Sequence, residues 1–88
     1  MLIIGGSGSN RITGSADPDV IDSGGGLDAV HAGDGDDLAQ GGANRDNLYG
    51  EAGNDQLFGE GSNDKLYGGA GNDTLDGGGQ DDRVYGGD

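Results

Sequence analysis

An acidic residue and an aliphatic residue recur at nine-residue intervals along almost the whole chain. From Gly5 to Tyr85 the sequence divides into nine nonapeptides without an insertion or deletion: GGSGSNRIT, GSADPDVID, SGGGLDAVH, AGDGDDLAQ, GGANRDNLY, GEAGNDQLF, GEGSNDKLY, GGAGNDTLD and GGGQDDRVY. The sixth position holds Asn10, then Asp19, Asp28, Asp37, Asp46, Asp55, Asp64, Asp73 and Asp82. The eighth holds Ile12, Ile21, Val30, Ala39, Leu48, Leu57, Leu66, Leu75 and Val84. A period this short and this strict describes units that stack on their neighbours and cannot bury a core alone. Residues 1–88 are therefore expected to form one repeat domain, with nine repeats over 5–85 and a partial tenth at 86–88.

Composition says that stacking needs help. Leu, Ile, Val and Phe supply 15 of the 88 residues, glycine supplies 23, and the net charge is −13. Such a chain buries too little apolar surface to offset the entropy lost on ordering. The strict register nevertheless argues against a flexible linker. The acidity repels nucleic-acid phosphates and attracts cations. Disulfides and thiolate metal sites are excluded because the chain has no cysteine. The longest apolar run, MLII at the N-terminus, is far too short to span a membrane. No signal peptide is recognised.

Within each nonapeptide, the first six residues read as a turn. Glycine at positions one, two and four permits positive φ and lets carbonyls approach closely. The last three, polar–aliphatic–polar, read as a short strand with its middle side chain inward and its neighbours outward.

The pattern G-G-x-G-x-D-x-aliphatic-x resembles the calcium-binding repeat of the RTX (repeats-in-toxin, hemolysin-type) family over 81 of the 88 residues. The resemblance implies an all-β fold, a right-handed parallel β-roll in which two nonapeptides make one 18-residue coil with a strand on each side. Odd and even repeats then form separate parallel sheets. Ile12, Val30, Leu48, Leu66 and Val84 would face Ile3, Ile21, Ala39, Leu57 and Leu75. Stacking at one strand spacing, ~4.8 Å, leaves successive aspartates repelling by about 3–4 kcal/mol at an effective dielectric near 20. Carboxylate and carbonyl oxygens select Ca²⁺ over softer metals.

In the family each ion lies between adjacent stacked loops and takes carboxylate and carbonyl oxygens from both. Six sites follow: Asp28–Asp46, Asp46–Asp64 and Asp64–Asp82 on the odd side, and Asp19–Asp37, Asp37–Asp55 and Asp55–Asp73 on the even side. A seventh, Asn10–Asp28, lacks a carboxylate and is expected to be weak or empty. The backbone ligands implied are Gly24, Gly26, Gly33, Gly35, Gly41, Gly42, Gly50, Gly53, Gly59, Gly68, Gly69, Gly71, Gly77 and Gly78. Six divalent ions would nearly cancel the net charge of −13. The loop Gly14–Asp19 has no glycine at positions two and four and contains Pro18, so Asp19–Asp37 is the weakest of the six.

Family members are exported unfolded by bacterial type I secretion. They fold in extracellular calcium and help an attached domain to fold. Where a catalytic domain is attached, as in proteases and lipases, it lies outside the repeats. Nothing in this chain supplies a nucleophile, a base and an oxyanion site together, so no catalysis is expected. There is no P-loop, no G-x-G-x-x-G and no EF-hand. His31 reads as a surface residue rather than a base or ligand.

A binding face is the alternative function. Position nine of the odd repeats carries Thr13, His31, Tyr49, Tyr67 and Tyr85, and all four basic residues, Arg11, Arg45, Lys65 and Arg83, lie in odd repeats. This face reads either as a surface for an alginate-like polysaccharide or adhesion partner, or as stacked aromatics that stabilise the sheet. The even face carries Val20, Leu38 and Phe58 outward, suited to docking a fused domain. Open strand edges at the roll ends invite end-to-end self-association.

Overall fold

The computed structural model describes residues 2–9, 11–79 and 82–87. Every nonapeptide closes on a strand of three or four residues, because only its last residues alternate polar and apolar side chains. The strands are β1 (Leu2–Ile4), β2 (Arg11–Thr13), β3 (Val20–Asp22), β4 (Asp28–His31), β5 (Leu38–Gln40), β6 (Asp46–Tyr49), β7 (Gln56–Phe58), β8 (Lys65–Tyr67), β9 (Thr74–Asp76) and β10 (Arg83–Tyr85). There is no helix among the described residues.

Odd-numbered strands form one parallel sheet in the order β1-β3-β5-β7-β9, and even-numbered strands form the other, β2-β4-β6-β8-β10. The result is a β-solenoid of about four turns. Register never slips: Ile3 pairs with Ile21, Ile21 with Ala39, and Ala39 with Leu57. Opposite them, Ile12 pairs with Val30, Val30 with Leu48, and Leu48 with Leu66. A shift of one residue would turn every aliphatic outward and bring polar neighbours in, so the alternation fixes the pairing. Hydrogen bonds continue past the strands, as in Gly50 N–H to Tyr67 C=O (2.8 Å) and Gln56 N–H to Asp37 C=O (2.8 Å).

The core is one aliphatic layer between the sheets: Ile12, Ile21, Val30, Ala32, Ala39, Leu48, Leu57 and Leu66, with Ile3 and Leu75 packed at its ends. The molecule is correspondingly thin, 27 × 25 × 13 Å. Val84 departs from the expectation that it belongs to the core. It is 47% exposed, because β10 has a neighbouring strand on one side only.

From the third repeat onward, positions two and four adopt positive φ wherever they are described. This holds for glycine, as at Gly53 (φ 110°), and also for Asn44 (73°), Glu51 (71°), Glu60 (71°) and Ser62 (68°). The first-position glycines do not, which corrects the sequence-based reading of Gly41, Gly50, Gly59, Gly68 and Gly77 as positive-φ residues. Their glycine requirement is steric and comes from the aspartates described below.

Glu60 holds a left-handed conformation that costs a non-glycine residue about 1–2 kcal/mol, against about 0.5–1 kcal/mol of extra entropy lost by glycine. Glu60→Gly is therefore expected to stabilise the fold by about 0.5–1 kcal/mol. Gly53→Ala should destabilise it by about 2–3 kcal/mol, since its Cβ would also meet the carbonyl oxygen of Gly35 in the loop beneath. Thermal unfolding of both variants in calcium measures the two shifts.

Candidate metal centre

Each sixth-position aspartate sits where the turn enters the strand, and its side chain folds inward under the loop. Asp19, Asp28, Asp37, Asp46, Asp55 and Asp64 are all at most 3% exposed. Asp73 and Asp82, in the last coil, are half-buried. The carboxylates form two columns linked by an identical bond. One column runs Asp19 N–H to Asp37 Oδ1 (2.7 Å), Asp37 N–H to Asp55 Oδ1 (2.9 Å) and Asp55 N–H to Asp73 Oδ1 (2.8 Å). The other runs Asp28 to Asp46 (3.0 Å), Asp46 to Asp64 (2.9 Å) and Asp64 to Asp82 (2.8 Å). All six aspartate pairs expected from the sequence are thus brought together. Asn10, half of the seventh, lies outside the described residues.

The second oxygen has a different fate. Oδ2 of Asp37, Asp46, Asp55, Asp64 and Asp73 is buried without a hydrogen-bond partner. In Asp46, Asp55, Asp64 and Asp73 it lies over the first residue of the same repeat. A Cβ on Gly41 would come within 2.6 Å of Asp46 Oδ2, and Cβ atoms on Gly50, Gly59 and Gly68 within 2.5 Å of Oδ2 of Asp55, Asp64 and Asp73. Gly77 stands in the same relation to Asp82. Position one is glycine in these repeats because the carboxylate occupies the space a side chain needs.

Backbone carbonyls nest in the same way. The carbonyl oxygen of Gly24 lies 2.5 Å from where a Cβ on Gly42 would be, and that of Glu51 2.5 Å from where one on Gly69 would be. Gly26, Gly33, Gly35, Gly53, Gly71 and Gly78 stack over carbonyls of the preceding loop likewise.

An ionised carboxylate in this setting is strained electrostatically. Burial, reinforced by the neighbouring carboxylates and opposed by the amide bond, pushes Asp46 and Asp55 up to about 7 and Asp64 up to about 6. Asp37 is raised for the same reason. Dehydrated anionic oxygens beside stacked carbonyls fit a hard, oxygen-seeking cation. No group of three or more His, Cys, Asp or Glu side chains able to hold a metal occurs among the described residues, so a carboxylate-only or imidazole centre is absent there.

Asp19 is the exception, and the residue responsible was not anticipated. Ser15 donates its backbone N–H to Asp19 Oδ2 (2.7 Å) and its hydroxyl to both carboxylate oxygens (2.9 and 3.1 Å). The Ser15 amide holds Asp19 below the usual carboxylate range. The legible signal was a serine at position two, four residues before the acid. A second ladder was also missed: Asn54 N–H donates to Asp36 Oδ1 and Asn72 N–H to Asn54 Oδ1, both at 2.8 Å, along position five of the even repeats.

On the outer face, His31, Tyr49, Tyr67 and Tyr85 stack with ring centroids 4.5, 4.8 and 4.9 Å apart and planes within 7°. His31 ends this stack and its Nδ1 lies 2.9 Å from Glu51 Oε2. Arg11, Lys65 and Arg83 are exposed on the same sheet.

A family model for the RTX calcium-binding nonapeptide repeat matches residues 4–39, 31–66 and 58–88. The chain belongs to the RTX calcium-binding repeat family. Searches of curated proteins and of solved structures return no match. RTX repeats are structural calcium-binding units rather than an enzyme family, and calcium binding accounts for the oxygen-only character of these columns.

The raised carboxylates set a pH dependence for the metal-stripped RTX roll. The folded state holds protons more tightly than the unfolded chain at Asp46, Asp55 and Asp64. Stability is then greatest below the ordinary carboxylate range and is lost as pH rises from there to about 7. Asp19 opposes this, favouring the fold above its lowered value, but it is one group against several. Circular dichroism of metal-stripped protein should show β structure growing as pH falls from 8 to 5. In calcium the same change should weaken the fold, because protons compete with the metal.

Proposed function

We propose that the chain is a calcium-triggered folding module. It is unfolded at neutral pH without calcium and becomes a rigid roll when calcium occupies the loops. The buried, unpartnered Oδ2 atoms of Asp37, Asp46, Asp55, Asp64 and Asp73 carry this reading. Six ions would lie between stacked loops, each held by one of the aspartate pairs and by carbonyls of the glycine turns. The Asp19–Asp37 site is the weakest, since Ser15 already satisfies Asp19. Affinities of about 10⁻⁴–10⁻³ M suit extracellular calcium. The module would act outside the cell, after export in an unfolded state, as one domain that nucleates folding of an attached partner.

The polysaccharide reading gains little from the ring geometry. Tyr49 and Tyr67 spend both faces on neighbouring rings, which favours the ladder as a sheet stabiliser, worth about 0.5–1.5 kcal/mol per pair.

Calcium titration followed by circular dichroism, with native mass spectrometry to count ions, tests the proposal. Coil should convert cooperatively to β structure with about six ions bound, on the pairing scheme above. Asp55→Asn should raise the calcium midpoint several-fold and remove at least one ion, whereas Asp19→Asn should change it little. Equal, ordered spectra with and without calcium would sink the idea, as would fewer than four ions.

A further inference from the structure

Beyond calcium, the outer face presents an arrangement of cations that the fold does not need. The chain has four Lys and Arg against seventeen Asp and Glu. Three of the four converge. Arg45, Lys65 and Arg83, with Asn63 and Asp64, line a hollow of about 350 Å³. An adjoining hollow of about 270 Å³ shares Arg45, Asn63 and Lys65 and adds Leu27 and Asn47.

Lys65 and Arg83 are direct cross-strand partners, and Asn47 continues their row. Like charges placed opposite one another destabilise a sheet. Acids are abundant, yet among the described residues none forms an ion pair with either of these two. The one ion pair between described residues is His31–Glu51, on another part of the face. Asp64 is the one carboxylate that lines the hollow. It is 1% exposed, and its Oδ1 is taken by the amide of Asp46.

We propose that this hollow binds a doubly charged oxyanion, a phosphate or sulfate group. Two guanidinium forks match pairs of oxygens on a tetrahedral anion, and the ammonium and the Asn47 amide add further donors. Three positive charges are balanced better by a dianion than by a single carboxylate. The volume falls within the range of small-molecule sites, about 300–1,000 Å³, so the hollow admits the group either free or esterified to a small sugar. Because the hollow spans successive coils, it exists only in the folded roll.

The experiment is a nuclear magnetic resonance titration of the calcium-loaded protein. Inorganic sulfate, glucose 6-phosphate and acetate are added separately, and the arginine Nε–H and asparagine amide signals are followed. Sulfate or glucose 6-phosphate should give saturable shifts confined to Arg45, Asn47, Asn63, Lys65 and Arg83. Affinity should fall at least about tenfold in Arg45→Gln and Arg83→Gln. Tighter binding of glucose 6-phosphate points to an esterified source, and equal binding to the free anion. Arg11→Gln, which removes the cation outside the hollow, should leave binding unchanged. Circular dichroism and the calcium midpoint of each variant show separately that the roll has formed, so a failure of folding is not mistaken for a failure of this site. Absence of saturation with both dianions, equal saturation by acetate, or equal loss in Arg11→Gln would overturn the proposal.

Discussion

The roll depends on a carboxylate that is asked to do two incompatible things. Oδ1 of Asp37, Asp46, Asp55, Asp64, Asp73 and Asp82 accepts the amide of the counterpart one coil earlier, which locks successive loops together. The same bond draws the whole carboxylate out of water and leaves Oδ2 without a donor in five described repeats. Removing an anion from water costs several kcal/mol even after relaxation. A single layer of aliphatics is a poor source for that energy repeated along two columns. On the proposed reading calcium supplies what the thin core does not, and glycine at 41, 50, 59 and 68 leaves room for the turned-in carboxylates of Asp46, Asp55, Asp64 and Asp73.

Because every coil makes the same bonds to the next, the structure behaves as a one-dimensional stack in which each unit is stabilised by its neighbours. Its ends differ from its middle for that reason. Val84 and Asp82 have packing on one side only, so Val84 is exposed and Asp82 half-buried where the inner members of their columns are buried. At the other end, Gly6, Gly8, Ser15 and Asp17 do not enter the positive-φ region used by later loops. Ser15 there adds bonds inside one loop that give the Asp19 carboxylate donors of its own.

Strand positions, register and the aspartate pairs were legible because they follow from one strict period combined with the alternation of a strand. Those features need only knowledge of which residue stands over which. What stayed hidden depends on where side chains turn inside a loop. Gly41 and Gly50 looked like Gly42 and Gly53 in the sequence, yet the first two avoid a carboxylate and the latter two satisfy a backbone angle. Glu51, Glu60 and Ser62 reach the same angle without being glycine, since the stacked loops on either side impose it. The Asp36–Asn54–Asn72 ladder escaped notice because asparagine and aspartate on a turn are so ordinary that their 18-residue spacing carried no distinct message.

The same 18-residue step that stacks anions inside also stacks rings and cations outside. A ring every 18 residues places Tyr49, Tyr67 and Tyr85 at the spacing of aromatic contact, and Lys65 beside Arg83. The two sides are coupled through charge. At −13 the metal-free chain repels any anion that approaches its few cations, and on the proposed reading it would have no sheet on which to align them. On the proposed reading, calcium would neutralise the inner columns and fix the coils in one step. The outer cations would then face solvent on an almost uncharged body, and an external anion would meet three positive groups instead of a cloud of carboxylates. Under both proposals, an ion bound inside the loops would control what the opposite face of the sheet can hold.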